Sequence, residues 1–166
     1  MYRTIAEFLE DWKVEAALTL KVLDTLTDAS LKQAVSAAQA RTLGDLAWHL
    51  VGSVPLMLGA GGLQVAGPDV RKPTPASAAE IAEGYRAASV AATSALQQQW
   101  NDAKLPEKLL LFGFIDTTYG GLLNTLVRHQ IHHRGQMTIL MRQAGLVAPG
   151  VYGPNEEETA AMNAAK

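Results

Sequence analysis

The chain has 166 residues, 48% of them hydrophobic and 18% charged, with a formal net charge of −2. That length suits one domain with a proper core. A sequence pI near 6.1, with no basic run and no aromatic–basic interleaving, excludes an ordinary nucleic-acid binder. Cysteine is absent, which excludes a disulfide frame and a cysteine nucleophile and restricts any metal site to nitrogen and oxygen ligands. No apolar run of membrane-spanning length stands out. The first ten residues carry acids where a signal peptide would have an apolar core, so a cytoplasmic protein with no membrane partner is expected.

The pattern along the chain is helical. Thr4 and Glu7 have the spacing of a capping box, in which each side chain satisfies one free backbone amide. Phe8, Trp12, Ala16, Leu20, Leu23 and Leu26 then recur at helical spacing and predict a first helix to about Leu26. Thr42 and Asp45 open a second helix that carries His49 and runs to about Leu58. Residues 59–75, rich in Gly and Pro, read as a long loop. Ser77 and Glu80 open a third helix to about Trp100. A mixed stretch, 101–118, includes an apolar patch from Leu109 to Phe114 whose periodicity is ambiguous and whose Gly113 argues against helix. A fourth helix ends at Gly145, a natural left-handed cap, and a short helix begins near Asn155. Four long helices with one long crossover predict an all-α four-helix bundle, a single domain over 1–166.

Chemistry concentrates in the fourth helix. Three of the four histidines fall within five residues, in the string H-Q-I-H-H-R-G-Q from His129 to Gln136. At about 100° per residue, His129 and His133 fall in the apolar stripe of Leu122, Leu126, Met137 and Leu140, one turn apart. His132 points roughly 80–100° away and is expected at the edge or surface. An i, i+4 histidine pair lets one helix offer two imidazoles to one metal ion. The metalloprotease version needs Glu after the first His, and here that position is Gln130. His49 could supply a third ligand from another helix, but it lies to one side of its own stripe of Leu43, Leu46, Leu50, Val54 and Met57. The plainer alternative, a hydrogen-bonded histidine network in the core, stays open at this level.

The remaining residues of the motif have assignable roles. Arg134 is expected to point away from the pair, at the helix flank, into an ion pair or onto carbonyls of a neighbouring helix, with a contact to a substrate anion as the lesser alternative. Gly135 is expected to let another helix or chain approach. Gln136 could fix a ligand ring or a bound water. Asp45 could orient His49, although capping its helix is the simpler role. Trp48 and Tyr119 are expected to pack.

The strings H-Q-I-H-H-R-G-Q-M, L-M-R-Q-A-G-L and P-G-V-Y-G-P, preceded by R-T-L-G-D-L-A-W-H-L, resemble the signature of the DinB/YfiT-like family over nearly the whole chain. The resemblance implies an up-down-down-up four-helix bundle, a homodimer, and a divalent ion (Zn²⁺, Ni²⁺, Fe²⁺ or Mn²⁺) held by His49, His129 and His133. One departure is Thr159, which stands where such tails usually carry tryptophan, so the C-terminal segment is expected to pack less firmly or on a different surface. Three imidazoles leave positions open on a divalent ion. Fold relatives with known chemistry activate a small thiol there, which suggests a thiol cosubstrate and S-transfer to small electrophiles, with hydrolysis as a variant. The competing function is a non-catalytic, stress-associated dimeric bundle with a structural or incidental metal, since no Asp or Glu is placed next to the histidine pair.

Overall fold

The computed structural model describes residues 2–69 and 71–165. Four long helices carry the fold: α1 (Ile5–Leu23), α2 (Leu43–Ala60), α3 (Ala78–Gln99) and α4 (Tyr119–Gln143), with a short α5 (Glu156–Ala164). Contacts at their ends give the directions. Gly120 at the start of α4 lies against the Tyr2 carbonyl ahead of α1, and Lys21 late in α1 donates to the Gly150 carbonyl beyond α4, so these two run parallel. Thr74 before α3 bonds Asp45 in the first turn of α2, and Gln99 late in α3 bonds Gln64 just past α2, so this pair is parallel too. The Ala78 amide donates to Asp28 beyond α1, and Gly61 after α2 faces Leu122 early in α4; those pairings are antiparallel. Each helix packs on two neighbours, with α1 diagonal to α2 and α3 diagonal to α4. This is the up-down-down-up bundle, and residues 61–77 form its crossover.

Caps set where the helices begin. Thr4 accepts from the Glu7 amide at 3.1 Å, but the Glu7 carboxylate takes the Arg3 amide rather than that of Thr4, so the reciprocal half of the box is displaced by one residue. Thr42 and Asp45 form the full reciprocal box. Ser77 caps α3, Thr118 caps α4 and Asn155 caps α5. Gly145 follows α4 at φ +79°, the left-handed conformation that costs glycine nothing. The first helix stops at Leu23; Leu26 continues the apolar spacing and is buried, but from a turn outside the helix.

The bundle is not purely α. Two antiparallel hairpins interrupt it: β1 (Ala34–Ser36) with β2 (Gln39–Thr42), and β3 (Lys108–Leu111) with β4 (Ile115–Thr118). The second resolves the ambiguous apolar patch. Phe112 and Gly113 both take positive φ, 54° and 80°, which turns the chain back on itself. Each hairpin ends on the threonine that caps the next long helix, Thr42 for α2 and Thr118 for α4. The hairpins thus fix the starts of the two helices that carry all four histidines.

The core runs the length of the bundle, with Phe8, Trp12, Leu50, Ile81, Tyr85, Leu96, Leu122 and Met141 fully or almost fully buried. One sequence expectation needs correction here. Leu43–Ala60 is long and apolar enough to cross a membrane, because its only formally charged residue is Asp45. It is 67% buried between α3 and α4, the pattern of a central core helix. The last helix, α5, buries no residue and is held by polar contacts, including an Arg142–Glu157 pair at 2.5 Å.

Candidate metal centre

His49 stands in the second turn of α2, and His129 and His133 stand one turn apart on its antiparallel neighbour α4. The helix pair brings the three rings together, with centroids 4.9 Å (His49–His129), 4.7 Å (His49–His133) and 4.5 Å (His129–His133) apart. One nitrogen from each ring lies within 4.8 Å of the other two, and among the described residues no Asp or Glu joins this group. The offset of His49 from its own stripe turns it toward α4 and away from the axis of the bundle.

The donor set fits a small divalent ion. Tetrahedral coordination at metal–nitrogen distances of about 2.0–2.1 Å spaces its donors by roughly 3.3 Å. The 3.0 Å contact between His49 Nε2 and His129 Nε2 and the 4.8 Å envelope of the three bracket that value. Two facing imidazole nitrogens need something positive between them, either a shared proton or a shared cation. His133 donates from Nδ1 to Gln136 Oε1 at 2.7 Å, which leaves its Nε2 lone pair free. His129 Nδ1 is buried and has no partner among the described residues.

Electrostatics favours the neutral rings that a metal requires. Burial lowers the pKa of His49 to about 4, helped by the charges of His133 and Arg41. His129 is lowered to about 4 by burial first, then by the other histidines and Arg41. His133 is also lowered by burial; its hydrogen bond to Gln136 opposes the shift, and His132 and Arg41 add to it. His132 is exposed, its ring edge-on to His133 at 4.8 Å, and lies outside the group.

The histidines sit on the rim of the buried face of α4. The deepest residues there are Leu123, Leu126, Gln130, Arg134, Met137 and Met141. Arg134 therefore points away from the cluster, as expected, but into the core and not at a flank. Its side chain is 1% exposed and pairs with Glu15 at 2.6 Å. It also donates to the Glu15 carbonyl (3.0 Å), to Thr19 Oγ1 (3.1 Å) and to the Tyr152 hydroxyl, which itself donates to Glu15 at 2.7 Å. Asp45 completes the capping box of α2 as the partner of Thr42. Burial disfavours its charge, but hydrogen bonds from Thr74 and Thr42 and the charge of Arg41 outweigh this and lower its pKa. Trp48 is buried against Gly84, and Tyr119 packs edge-on to Trp100. Nothing lies within 4 Å of a Cβ placed on Gly135, so no helix of this chain makes the close approach expected there.

Two residues have roles that the sequence did not assign. Gln130 is fully buried and donates to Ser53 Oγ at 2.9 Å, tying α4 to α2 one turn along from His49. Its place in the buried row, four residues before Arg134, was the available signal. Arg41, next to the Thr42 cap, acts by charge on all three rings. It lines a cavity of about 570 Å³ beside His49, together with Asp45, Trp48, Leu56, Lys72 and Thr74. It also lines a second cavity of about 320 Å³ that reaches Gln136. The cluster is thus flanked by space for a small molecule.

Known proteins align with this chain end to end. The DinB family profile matches residues 1–165. The uncharacterized protein YrdA of Bacillus subtilis (strain 168) is 46% identical over 160 residues, 96% of this chain and 95% of that protein. The crystal structure of a DinB-like protein from Bacillus cereus ATCC 10987 superposes with a TM-score of 0.86 at 47% identity, covering 92% of this chain and all of that one. The DinB-like protein YjoA of Bacillus subtilis shares the fold alone, with a TM-score of 0.66 at 17% identity over 90% of this chain and 99% of that one. A full-length family match, together with two relatives nearly half identical over almost their whole length, establishes that the chain belongs to the DinB family.

Proposed function

We propose that this chain binds one divalent metal ion through His49, His129 and His133 and uses it in a group-transfer reaction on a small electrophile, with a low-molecular-weight thiol as the nucleophile. The observation that carries the reading is the convergence of three neutral imidazoles, with no carboxylate completing the set, at the edge of a cavity large enough for a small substrate. A divalent ion held there supplies Lewis acidity that lowers the pKa of a bound thiol or water. The chain's own residues do the rest. Gln136 holds the His133 ring by its Nδ1–H, and burial keeps His49 and His129 unprotonated at neutral pH. Trp48 walls the cavity from the core side. In S-transfer the acidified thiol would lose its proton to solvent water, its sulfur would bond the electrophilic carbon, and the leaving group would depart with the bonding pair. With no cysteine in the chain, that sulfur arrives with the cosubstrate.

A non-catalytic bundle is the competing reading. It is favoured by the lack of a free general base, since Asp45, the carboxylate at the cavity, is engaged by Thr42 and Thr74. The homodimer implied by the resemblance belongs to both readings. Leu110, Phe112, Phe114 and Ile115, exposed on the second hairpin, are compatible with it, and sedimentation velocity tests it.

The deciding experiment is elemental mass spectrometry on untagged protein beside His133→Ala and His49→Ala variants. Near one ion per chain, lost in both variants, supports the site and justifies pairing small thiols with an activated aryl halide. No ion in the wild type, even after incubation with Zn²⁺, Ni²⁺ or Mn²⁺, removes the mechanism. Stoichiometric metal without turnover for any thiol tried favours the non-catalytic reading.

A further inference from the structure

We propose that the cavity beside His49 is a binding site for an oxyanion, the carboxylate or phosphate of a small molecule with an apolar body. Two cations line it from separate segments: Arg41 at the end of the first hairpin and Lys72 in the crossover between α2 and α3. Neither side chain forms a hydrogen bond or an ion pair among the described residues. Four exposed arginines elsewhere are matched, Arg3 with Glu7, Arg71 with Asp69, Arg86 with Glu83, and Arg142 with Glu157. Lys13, Lys32, Lys108 and Arg128, unpaired among the described residues, do not line this cavity. The carboxylate at the cavity feels the charge of Arg41 but forms no ion pair with either cation, because both of its oxygens are already engaged. Asp45 Oδ2 accepts from the Thr42 amide (2.9 Å) and hydroxyl (3.0 Å), and Oδ1 accepts from the Thr74 hydroxyl (2.6 Å). The result is a concave surface with two cations whose side chains form no hydrogen bond or ion pair among the described residues and one acid whose oxygens are already bonded.

The rest of the lining suits an organic anion. Trp48 and Leu56 give the cavity an apolar wall, and Leu56 is 57% exposed toward it and solvent. A planar guanidinium binds carboxylate and phosphate by two parallel hydrogen bonds, and low-dielectric walls strengthen the attraction. The charge of Arg41 also reaches His49, His129 and His133, so an anion held by Arg41 lies next to the histidine cluster. Its use there as the handle that orients a substrate rests on the metal reading above; the anion site itself does not.

The test is calorimetric titration of phenylphosphate and phenylacetate, with phenylacetamide as the uncharged control, into chelator-treated and into zinc-loaded protein. Both anions are expected to bind the chelator-treated wild type, and the amide is not. Arg41→Gln and Lys72→Gln should each weaken anion binding by about tenfold or more, the usual effect of losing a charged hydrogen-bond donor. Arg71→Gln should leave it unchanged. Tighter binding of phenylphosphate or of phenylacetate identifies which anion the site favours, and either preference supports the proposal. Binding of the amide as tight as that of the anions overturns it, as does anion binding that survives both substitutions. Anion binding seen only with zinc and insensitive to Arg41 and Lys72 also overturns it, because the anion then ligates the ion directly. Zinc uptake measured on the same samples separates the two readings. Zinc without anion affinity removes this site alone, and anion affinity without zinc removes the metal reading alone.

Discussion

Replacing Glu15 with alanine should destabilise the bundle more than any exposed substitution, and the magnitude follows from what Arg134 is left with. The two side chains are 8% and 1% exposed and meet at 2.6 Å. Removing one member of a buried pair strands the other charge, which costs about 3–5 kcal/mol. Alanine keeps the backbone carbonyl that accepts from Arg134 at 3.0 Å, and Thr19 keeps its contact at 3.1 Å, which places the loss toward the lower end, about 3 kcal/mol. That is a large share of the 5–15 kcal/mol typical of a domain. Urea unfolding followed by far-UV circular dichroism should show a lower midpoint at an unchanged slope. A Glu15→Met/Arg134→Met double variant removes both charges and refills the space, and should recover most of the loss. A Glu15→Ala protein within about 1 kcal/mol of wild type, or a double variant as unstable as the two single losses summed, would refute this account of the core.

Three further predictions rest on the site. Gln136→Leu frees the His133 ring, and zinc affinity measured by chelator competition should fall by about 10–100-fold; an unchanged affinity would show that Gln136 does not orient the ring. Asp45→Ala removes the α2 capping box and the Thr74 bond, so stability should drop by about 1–2 kcal/mol with zinc binding retained. If zinc binding falls with it, Asp45 does more than cap. In metal-free protein, His49 and His129 have folded pKa values of about 4, below the ordinary 6.5. The unfolded chain therefore takes up protons that the folded chain refuses, and stability should fall as pH drops from 6.5 toward 4. The upper limit is about 3 kcal/mol per ring, and solvent access reduces it to about 1–2 kcal/mol. Denaturation curves from pH 7 to 4.5 check this, and a His49→Gln/His129→Gln variant should show a flatter profile.

The parts of this fold that announce themselves in sequence are those governed by local chemistry. Thr42–Asp45 and Ser77–Glu80 mark their helix starts, because a cap needs only residues three apart. Gly145 marks the end of α4 for the same reason. The first hairpin does not announce itself. Its strands, A-V-S and Q-A-R-T, offer one large apolar side chain and almost no alternation, so no periodicity marks the pairing that ends at Thr42. The second hairpin shows only as an apolar patch, since the deciding feature is the positive φ at Phe112. Within α4 the i, i+4 spacing of His129 and His133 is plain and the stripe of Leu122, Leu126, Met137 and Leu140 is buried, but the buried face is wider and extends to Leu123, Gln130, Arg134 and Met141. Periodicity cannot tell a buried arginine from a flanking one when its partner, Glu15, lies 119 residues away. The same distance effect hides Arg41 and Lys72, which meet at one cavity only after the crossover folds back.

The sequence separation of 80 between His49 and His129 gives the cluster a consequence for folding kinetics. In the unfolded chain, His129 and His133 are near each other in sequence, while His49 is at the far end of a long loop, so a chelate across all three is entropically remote. An ion gripped by the three rings would act as a rivet between α2 and α4, engaging only after those helices dock in register. Such a rivet leaves the rate of the docking step almost untouched and slows its reversal. Micromolar metal in the buffer would then lengthen the lifetime of the native state in proportion to its concentration, and stopped-flow unfolding would report occupancy of the site without a substrate.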